Sequence, residues 1–220
     1  MNETTHAKPR PLLILGARSF AREIADLVSD ISEFELTGFV ENTDRSFCSE
    51  PIDGLPVHWV DDIAAMADTH WCVCAFGSNR RINFIRQVEA MGFRFATVIH
   101  PTARVSRRST IEEGCIISSG VQIAAHTRIG RHSLINRGAL VGHDIVTGEC
   151  IFVGPGANIA SACKIESGSY IAMGSIVVER ITVGEGSVVA AGAMVHRDVP
   201  PHVMVAGVPA AVIKEGVNGR

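Results

Sequence analysis

An aliphatic residue recurs at every sixth position from Ile99 to Val195, and this period constrains the fold more than any other feature of the 220-residue chain. Only Thr147 interrupts the row of valines and isoleucines. A strand repeats its facing every two residues and an α-helix every 3.6, so neither produces a six-residue period. Hexapeptide repeats are typical of a parallel β-helix. The sequence therefore predicts a triangular prism of eighteen-residue coils with the aliphatic row inside.

A different pattern precedes the repeat. The apolar run Leu12 to Leu15 ends at Gly16, and apolar residues then recur at helical spacing. Strands that alternate with helices predict a parallel sheet, here a Rossmann-like α/β domain. The predicted boundaries are a loose tail without a signal peptide at 1–10, the α/β domain at 11–97, the β-helix at 98–198 and a C-terminal cap at 199–220. Within these segments the sequence predicts a short helix at 61–67, a strand at 93–98 and a helical turn at 210–214.

Composition excludes several classes of protein. The formal net charge of −3 argues against a nucleic-acid binder. The six cysteines form no disulfide-scaffold pattern in a chain of this size. No apolar run reaches the length of a membrane span, so we expect no membrane insertion. We expect a metabolic protein of the reducing cytoplasm.

The loop after the first predicted strand is one candidate ligand site. Ligands commonly bind at the carboxyl ends of parallel strands, where helix N-termini favour anions. The loop Gly16-Ala17-Arg18-Ser19 occupies that place, but it has only the first glycine of a dinucleotide fingerprint. A phosphate site and a purely structural turn both remain open. At the end of the second strand, Glu41-Asn42 could accept hydrogen bonds from sugar hydroxyls.

His143 is the candidate general base, because it is an ionisable residue among small corner residues of the repeat. Neutral imidazole suits proton removal near pH 7. Asp144 could orient the ring, provided that a corner brings two consecutive side chains together. A plain surface histidine is the alternative. No two histidines of the coils are a multiple of eighteen apart, which argues against a metal site, and Cys150 and Cys163 have no adjacent basic partner that would make them nucleophiles.

Five places along the chain, together with the order of an α/β domain before hexad coils, carry a resemblance to a known family. They are Gly16-Ala17 with Arg22-Glu23, Gly38-Phe39-Val40-Glu41-Asn42, Ile99-His100-Pro101, Gly142-His143-Asp144 and Gly207-Val208-Pro209-Ala210. On these segments the chain resembles the sialic-acid-O-acetyltransferase-type family of hexapeptide-repeat sugar acyltransferases. The best understood members are similar to the bacillosamine-pathway enzymes, which N-acetylate nucleotide-linked 4-amino-4,6-dideoxy sugars.

The resemblance implies a left-handed prism that assembles as a homotrimer, with acetyl-CoA between neighbouring prisms and a nucleotide sugar on the N-terminal domain. By position, it implies His143 as general base, Asp144 as its orienting acid and Asn136 as a polar neighbour of the reacting centre. The implied CoA contacts are Ser161, Met173, Ala191 and Pro209, and the implied nucleotide-sugar contacts are Gly16, Arg18, Ser19, Glu41 and Asn42.

The chain departs from the family pattern at three places. Arg18-Ser19-Phe20 replaces a glycine-rich first loop, Glu41-Asn42 replaces an acidic pair, and Phe152 stands where relatives have a second histidine. We therefore expect a different acceptor pocket, and backbone N–H groups must stabilise the oxyanion.

These features together predict acetyl-CoA-dependent N-acetylation of a nucleotide-activated amino sugar, by direct attack on the thioester. A sugar O-acetyltransferase of surface-glycan or sialic-acid type is one alternative, since an amine and a hydroxyl both need proton removal. A non-catalytic scaffold subunit of a glycan pathway is the other.

Overall fold

The computed structural model describes residues 8–78 and 81–219, and its N-terminal part is a five-stranded parallel sheet with a helix on each face. The elements are β1 (Arg10–Leu15), α1 (Ser19–Ser29), β2 (Phe34–Glu41), β3 (Val57–Trp59), β4 (Trp71–Cys74), α2 (Arg81–Glu89) and β5 (Arg94–Phe95). The strand order is β3-β2-β1-β4-β5. The predicted helix at 61–67 is a 3-10 helix, Val60–Met66, and a second 3-10 helix spans Arg45–Cys48.

The alternation of side chains along β1 divides the core of this sheet into two layers. Leu12 and Ile14 pack with α1 on one face, whereas Leu13 and Leu15 pack with α2 on the other. All four side chains are completely buried. A continuous apolar run is typical of a strand that is covered on both faces.

The remainder of the chain confirms the predicted β-helix. Seventeen two-residue strands recur at six-residue intervals, and each of the first fourteen pairs in parallel with the strand eighteen residues further on. They are β6 (Val98–Ile99), β7 (Arg104–Val105), β8 (Thr110–Ile111), β9 (Ile116–Ile117), β10 (Gln122–Ile123), β11 (Arg128–Ile129), β12 (Leu134–Ile135), β13 (Leu140–Val141), β14 (Val146–Thr147), β15 (Phe152–Val153), β16 (Asn158–Ile159), β17 (Lys164–Ile165), β18 (Tyr170–Ile171), β19 (Ile176–Val177), β20 (Thr182–Val183), β21 (Val188–Val189) and β22 (Met194–Val195).

The prism has three faces. We call one the covered face, because the N-terminal domain lies on it, and the other two the second and third faces, in chain order. The covered face holds β6, β9, β12, β15, β18 and β21, the second face holds β7, β10, β13, β16, β19 and β22, and the third face holds β8, β11, β14, β17 and β20. In the coil at 134–151, the covered and second faces meet at residues 136–139. The second and third faces meet at 142–145, and the third and covered faces meet at 148–151.

The aliphatic row lines the interior, with differences at two places. Ile99 is 36% exposed, because no coil stacks below it at the open end of the prism. The Thr147 hydroxyl is buried, where it accepts from the Gly130 N–H at 2.9 Å and donates to the Gly148 carbonyl at 3.1 Å. These two hydrogen bonds satisfy the hydroxyl inside an otherwise apolar column.

The N-terminal domain lies on the covered face, and the two share one apolar core. Ile116, Leu134 and Phe152 point outward from the prism yet are buried, and they belong to the same cluster as the apolar residues of α1. The strand predicted at 93–98 is divided at this junction. Its first part, β5, pairs with β4 of the N-terminal sheet, and its last part, β6, pairs with β9 of the prism.

The C-terminal segment corrects one expectation. The helical turn predicted at 210–214 is wrong: β23 (Val203–Gly207) and β24 (Ala210–Glu215) form an antiparallel hairpin, and β23 continues the covered face beyond β21. Val205 and Val203 are buried against the last coil. The hairpin thus closes the end of the prism opposite to Ile99.

His132 lies buried between the prism and the N-terminal domain. Its side chain is only 3% exposed, its Nε2 is 3.2 Å from Glu89 Oε1, and its ring packs edge-on against Phe95. Burial lowers the pKa of His132 below its ordinary value of 6.5, and this outweighs the opposing effect of Glu89. The imidazole is therefore neutral in the folded chain at neutral pH.

We predict that His132 makes stability depend on pH. The unfolded chain binds a proton at this position near pH 6.5, whereas the folded chain binds it only at lower pH. Above pH 6.5 the contribution is complete, and the free energy of unfolding decreases as the pH falls through that value. Urea midpoints between pH 5 and 8 should decrease less steeply for His132→Asn than for the wild type. The matched control is His126→Asn, because His126 is exposed with a similar left-handed backbone; an equal effect of both changes would contradict the prediction.

We also predict that glycines of two kinds differ in their tolerance of alanine. A Cβ on Gly130 would lie 2.4 Å from the carbonyl oxygen of Gly148 in the next coil, so the backbone must shift. Gly156 has φ +63° but open space around it. Urea unfolding should show a loss of about 3 kcal/mol for Gly130→Ala from overpacking and about 1 kcal/mol for Gly156→Ala from left-handed strain. Equal losses would show that close stacking of the coils is not the constraint.

Candidate active site

His143 and Asp144 meet at the 142–145 corner, where β13 gives way to β14. His143 Nδ1 is 2.6 Å from Asp144 Oδ2. Asp144 has φ +57°, and this left-handed turn brings two consecutive side chains together that would diverge on a strand. The Asp144 N–H donates to the Ala125 carbonyl at 3.0 Å, which fixes the corner on the coil below.

The contact between Asp144 and Nδ1 of His143 leaves the other imidazole nitrogen, Nε2, available to accept a proton. Because an ionised carboxylate only accepts hydrogen bonds, the neutral ring carries its hydrogen on Nδ1 and has its lone pair on Nε2. The side chains of His143 and Asp144 are 61% and 56% exposed. A substrate can therefore approach Nε2 from solvent, and the ring can accept a proton from it.

Ser161 lies on the same corner, one coil beyond His143. The N–H of Ala162 donates to the His143 carbonyl at 2.9 Å, so the two corners stack in register. Gly142 makes this approach possible, because a Cβ there would lie 2.9 Å from the backbone N of Ser161. The structure thus brings Ser161 next to the base that the sequence predicts.

The other residues implied for the acetyl donor lie elsewhere. Asn136 is buried at the 136–139 corner, across β13 from His143, where its Oδ1 accepts from the Arg137 N–H at 2.8 Å. Met173 and Ala191 are exposed on the same line of corners, two and three coils further on, and the Gly192 N–H donates to the Met173 carbonyl at 3.0 Å. Pro209 lies at the tip of the C-terminal hairpin, after a cis peptide bond.

Exposed aliphatic side chains flank the 142–145 corner on both sides. Leu140 and Ile176 are 41% and 47% exposed on the second face, and Val146 is 48% exposed on the third face. A shallow cavity of about 250 Å³ lies on the second face, between the corner that carries His143 and the corner that carries Asn136. The surface around the candidate base is therefore open, with exposed aliphatic side chains among polar ones.

The residues predicted for a nucleotide sugar gather at the carboxyl ends of β1 and β2. Gly16 has φ +122°, and its N–H donates to the Val40 carbonyl at 2.8 Å. A Cβ on Gly16 would lie 3.1 Å from the ring of Phe76, so glycine is needed for this close approach. Ser19 is exposed at the start of α1.

Glu41 is a completely buried carboxylate at this edge, and its two oxygens differ. Oε1 accepts from the Asn42 N–H at 3.0 Å, the Thr43 N–H at 2.7 Å and the Thr43 hydroxyl at 2.5 Å. Oε2 has no hydrogen-bond partner among the described residues, and Arg18 Nε is 4.0 Å away. A buried acceptor without a donor costs free energy. Oε2 is thus positioned to accept from a ligand.

Arg18 is held at the same edge rather than projecting from the helix start. Its guanidinium lies 4.4 Å over the Phe47 ring, and its Nη2 is 3.4 Å from the Thr43 hydroxyl. Phe47 is 39% exposed and was missed by sequence reasoning, although an aromatic residue within a polar segment was the available signal. Asn42 turns toward α2, where its Nδ2 is 3.4 Å from Gln87 Oε1.

The cysteines do not supply a nucleophile. Burial raises the pKa of Cys74 and of Cys115 to about 12, and it also raises the pKa of Cys150 and of Cys163. Since the thiolate is the reactive form, these groups are inert near neutral pH. Over residues 8–78 and 81–219, no cluster of histidine, cysteine, aspartate or glutamate could hold a metal ion. No helix in that part of the chain is long and apolar enough to cross a membrane.

Comparison with known proteins identifies close structural relatives. No protein-family model and no curated protein sequence matches the chain significantly. A histidine-to-asparagine variant of perosamine N-acetyltransferase from Caulobacter crescentus, in complex with CoA and GDP-perosamine, is 28% identical with a TM-score of 0.86, over 93% of this chain and 97% of that one. The acetyltransferase domain of PglB from Neisseria gonorrhoeae, in complex with acetyl coenzyme A, is 26% identical with a TM-score of 0.86, over 93% and 100%. WeeI from Acinetobacter baumannii is 25% identical with a TM-score of 0.84, over the same shares.

The parallel sheets of short strands fit the left-handed β-helix of hexapeptide-repeat acyltransferases, and this is the class that the fold and the open corner define. Within it, the chain is built like perosamine N-acetyltransferase and the acetyltransferase domain of PglB over nearly its whole length. The family resemblance predicted from the sequence is thereby confirmed.

Proposed function

We propose that this protein transfers an acetyl group from acetyl-CoA to the amine of a nucleotide-linked sugar, with His143 as general base. The observation that carries the proposal is the His143–Asp144 pair, joined at 2.6 Å on an open corner. Support comes from two similar acetyltransferase structures: perosamine N-acetyltransferase with CoA and GDP-perosamine, and the acetyltransferase domain of PglB with acetyl coenzyme A.

The mechanism follows from the free nitrogen of the ring. The acceptor amine attacks the thioester carbonyl of acetyl-CoA, a C–N bond forms and the C–S bond breaks. His143 Nε2 takes the proton that the attacking nitrogen loses, and it can return this proton to the sulfur of the departing CoA. Asp144 holds the ring in the required tautomer and stabilises its charged form. Because Phe152 replaces a second histidine, backbone N–H groups are left to stabilise the oxyanion.

The corner and the second face suit the acetyl donor. Ser161 offers a small side chain beside His143, the cavity lies on the second face next to this corner, and Met173 and Ala191 are exposed along the other edge of that face. We propose that the donor lies along this strip and reaches Pro209 on the hairpin. Exposed Leu140, Ile176 and Val146 would be covered by neighbouring prisms in a homotrimer, which would place each active site between subunits.

The N-terminal sheet suits the acceptor. We propose that 11–97 is a Rossmann-like domain that holds the nucleotide sugar, with the β-helix at 98–198 and the capping segment at 199–220. Gly16 and Ser19 lie at the start of α1, whose first turn receives no side-chain cap, so its N–H groups can bind phosphate. Glu41 Oε2, Arg18 and Asn42 border the adjoining space. The two substrates are those of the cytoplasm, where we place the protein.

We predict that His143→Ala abolishes most of the turnover. Removing a positioned general base costs about 10²- to 10⁴-fold in kcat. Release of CoA thiol should be followed with UDP-, GDP- and dTDP-linked sugars that carry either an amine or a hydroxyl. The control is His70→Ala, because His70 lies before β4, away from the site. Undiminished turnover in His143→Ala would refute the mechanism, and no turnover by the wild type with any acceptor would favour the scaffold alternative.

We predict that Glu41→Gln weakens acceptor binding without destabilising the chain. Glutamine can keep the acceptor contacts of Oε1 but loses the negative charge on the buried oxygen that has no donor among the described residues. The KM for the nucleotide sugar should rise about tenfold, as expected for one hydrogen bond to a charged group, and the KM for acetyl-CoA should stay constant. Glu35→Gln, at the exposed opposite end of β2, is the control. An unchanged acceptor KM would remove Glu41 from the site.

A further inference from the structure

Arg81, in the first turn of α2, is a buried cation without a carboxylate partner among the described residues. Its side chain is among the largest that are fully buried, with 1% exposure of the residue. Burial lowers the pKa of its guanidinium, and Nε has no hydrogen-bond partner in the described part of the chain. Burying a charge in this way is costly, so the side chain must do something that an apolar residue would not.

The guanidinium donates to three backbone carbonyls in two different parts of the molecule. Nη2 donates to the carbonyl oxygens of Cys150 and of Ile151, the latter at 2.5 Å. Nη1 donates to the carbonyl of Phe76 at 3.4 Å. A planar fork with several donors can hold such carbonyls in one fixed arrangement, which a flexible ammonium cannot do.

Both parts belong to the site described above. Phe76 follows β4 at the carboxyl edge of the N-terminal sheet, and its ring is the surface that Gly16 approaches. Cys150 and Ile151 end the coil at 134–151, which carries Asn136, His143 and Asp144. The Ile151 carbonyl also accepts from the Leu134 N–H at 2.9 Å, so Arg81 adds a second donor at the hydrogen bond that joins the two ends of this coil.

Other polar contacts between the N-terminal domain and the prism reach different coils or are exposed. Glu89 of α2 is 3.2 Å from His132 Nε2 and 2.8 Å from Arg131 Nη2, but both partners precede the coil at 134–151. The ion pair between Glu23 of α1 and Arg137 also links the N-terminal domain to the coil, but its side chains are 53% and 57% exposed. Exposed ion pairs contribute little to stability and are screened by salt. The buried fork of Arg81 is therefore the more rigid link.

We infer that Arg81 is a positioning residue, whose guanidinium fixes the acceptor-binding edge of the N-terminal sheet relative to the coil that carries His143. The inference rests on the proposed function. Arg81 touches neither substrate in this assignment, since each substrate site lies within one of the two parts that it joins. Its loss should therefore impair the reaction of bound substrates more than their binding.

The test compares Arg81→Met, Arg81→Lys and the control Glu23→Gln in the full-length protein. For Arg81→Met we expect kcat to fall about 100-fold, as for a misplacement of reacting groups by about 1 Å. Both KM values should stay within about twofold, and calorimetry should find the same number of CoA sites per chain. Arg81→Lys should recover part of kcat, because an ammonium keeps some of the donors. Glu23→Gln should retain full activity.

Two results would overturn the inference. The first is a kcat in Arg81→Met that stays within about twofold of the wild-type value. The second is a kcat that falls only in proportion to the number of CoA sites per chain, because unfolded molecules lose activity and CoA binding together. If Arg81→Met does not fold, the same criteria apply to Arg81→Lys.

Hydrogen exchange separates this inference from the proposed function, since it needs no turnover. Arg81→Lys should speed amide exchange in peptides covering Leu134 and Phe76 but not in the hairpin of β23 and β24. Unchanged exchange at both places would also overturn the inference. A wild type that turns over no acceptor would contradict the proposed function instead.

Discussion

The burial of the covered face is the constraint on which the rest of the structure depends. Five of its strands, β9, β12, β15, β18 and β21, are apolar at both positions, so one residue points into the prism and the other points outward. The outward residues, such as Leu134 and Tyr170, become buried only because α1 and the sheet behind it lie on them. Neither part can expose that surface to water without losing apolar burial from both.

This shared core also decides where chemistry can occur. With one face covered, the second and third faces and the corner between them remain open, and that corner carries His143 and Asp144. The left-handed backbone at Asp144 brings the side chains of His143 and Asp144 into contact. Asp and Asn tolerate this conformation better than most residues, so Asp144 can occupy the left-handed turn while its carboxylate orients the imidazole.

The sequence predicted the prism well, because the six-residue period is a local repeat that each coil satisfies with its neighbours. It also placed His143 and Asp144 at a corner. The same eighteen-residue spacing contained one further signal, since apolar pairs such as Ile116-Ile117 and Phe152-Val153 mark a face covered on its outside. The helical turn expected at 210–214 was wrong because pairing with β23, a long-range contact, determines that segment.

Other features of the site could not be predicted from the sequence. Arg81 meets Cys150 and Ile151 across some seventy positions of chain, and Oε2 of Glu41 is free only because Thr43 and Asn42 turn their donors to Oε1. Such contacts have no periodicity, and they depend on how the two parts of the molecule are docked. Arg18 illustrates this, since its position over Phe47 follows from the fold of the segment after β2.

Because the prism is built from stacked coils, its length can change only in fixed steps. Neighbouring coils are spaced by about 4.8 Å, the distance between hydrogen-bonded strands. A coil can be gained or lost only whole, because a partial coil would turn the aliphatic row out of the interior. The separation between the hairpin at one end and the His143 corner can therefore change only in steps of about one strand spacing. A donor molecule that lies along the second face must span this separation. The number of coils therefore sets how far its reactive end is from the hairpin.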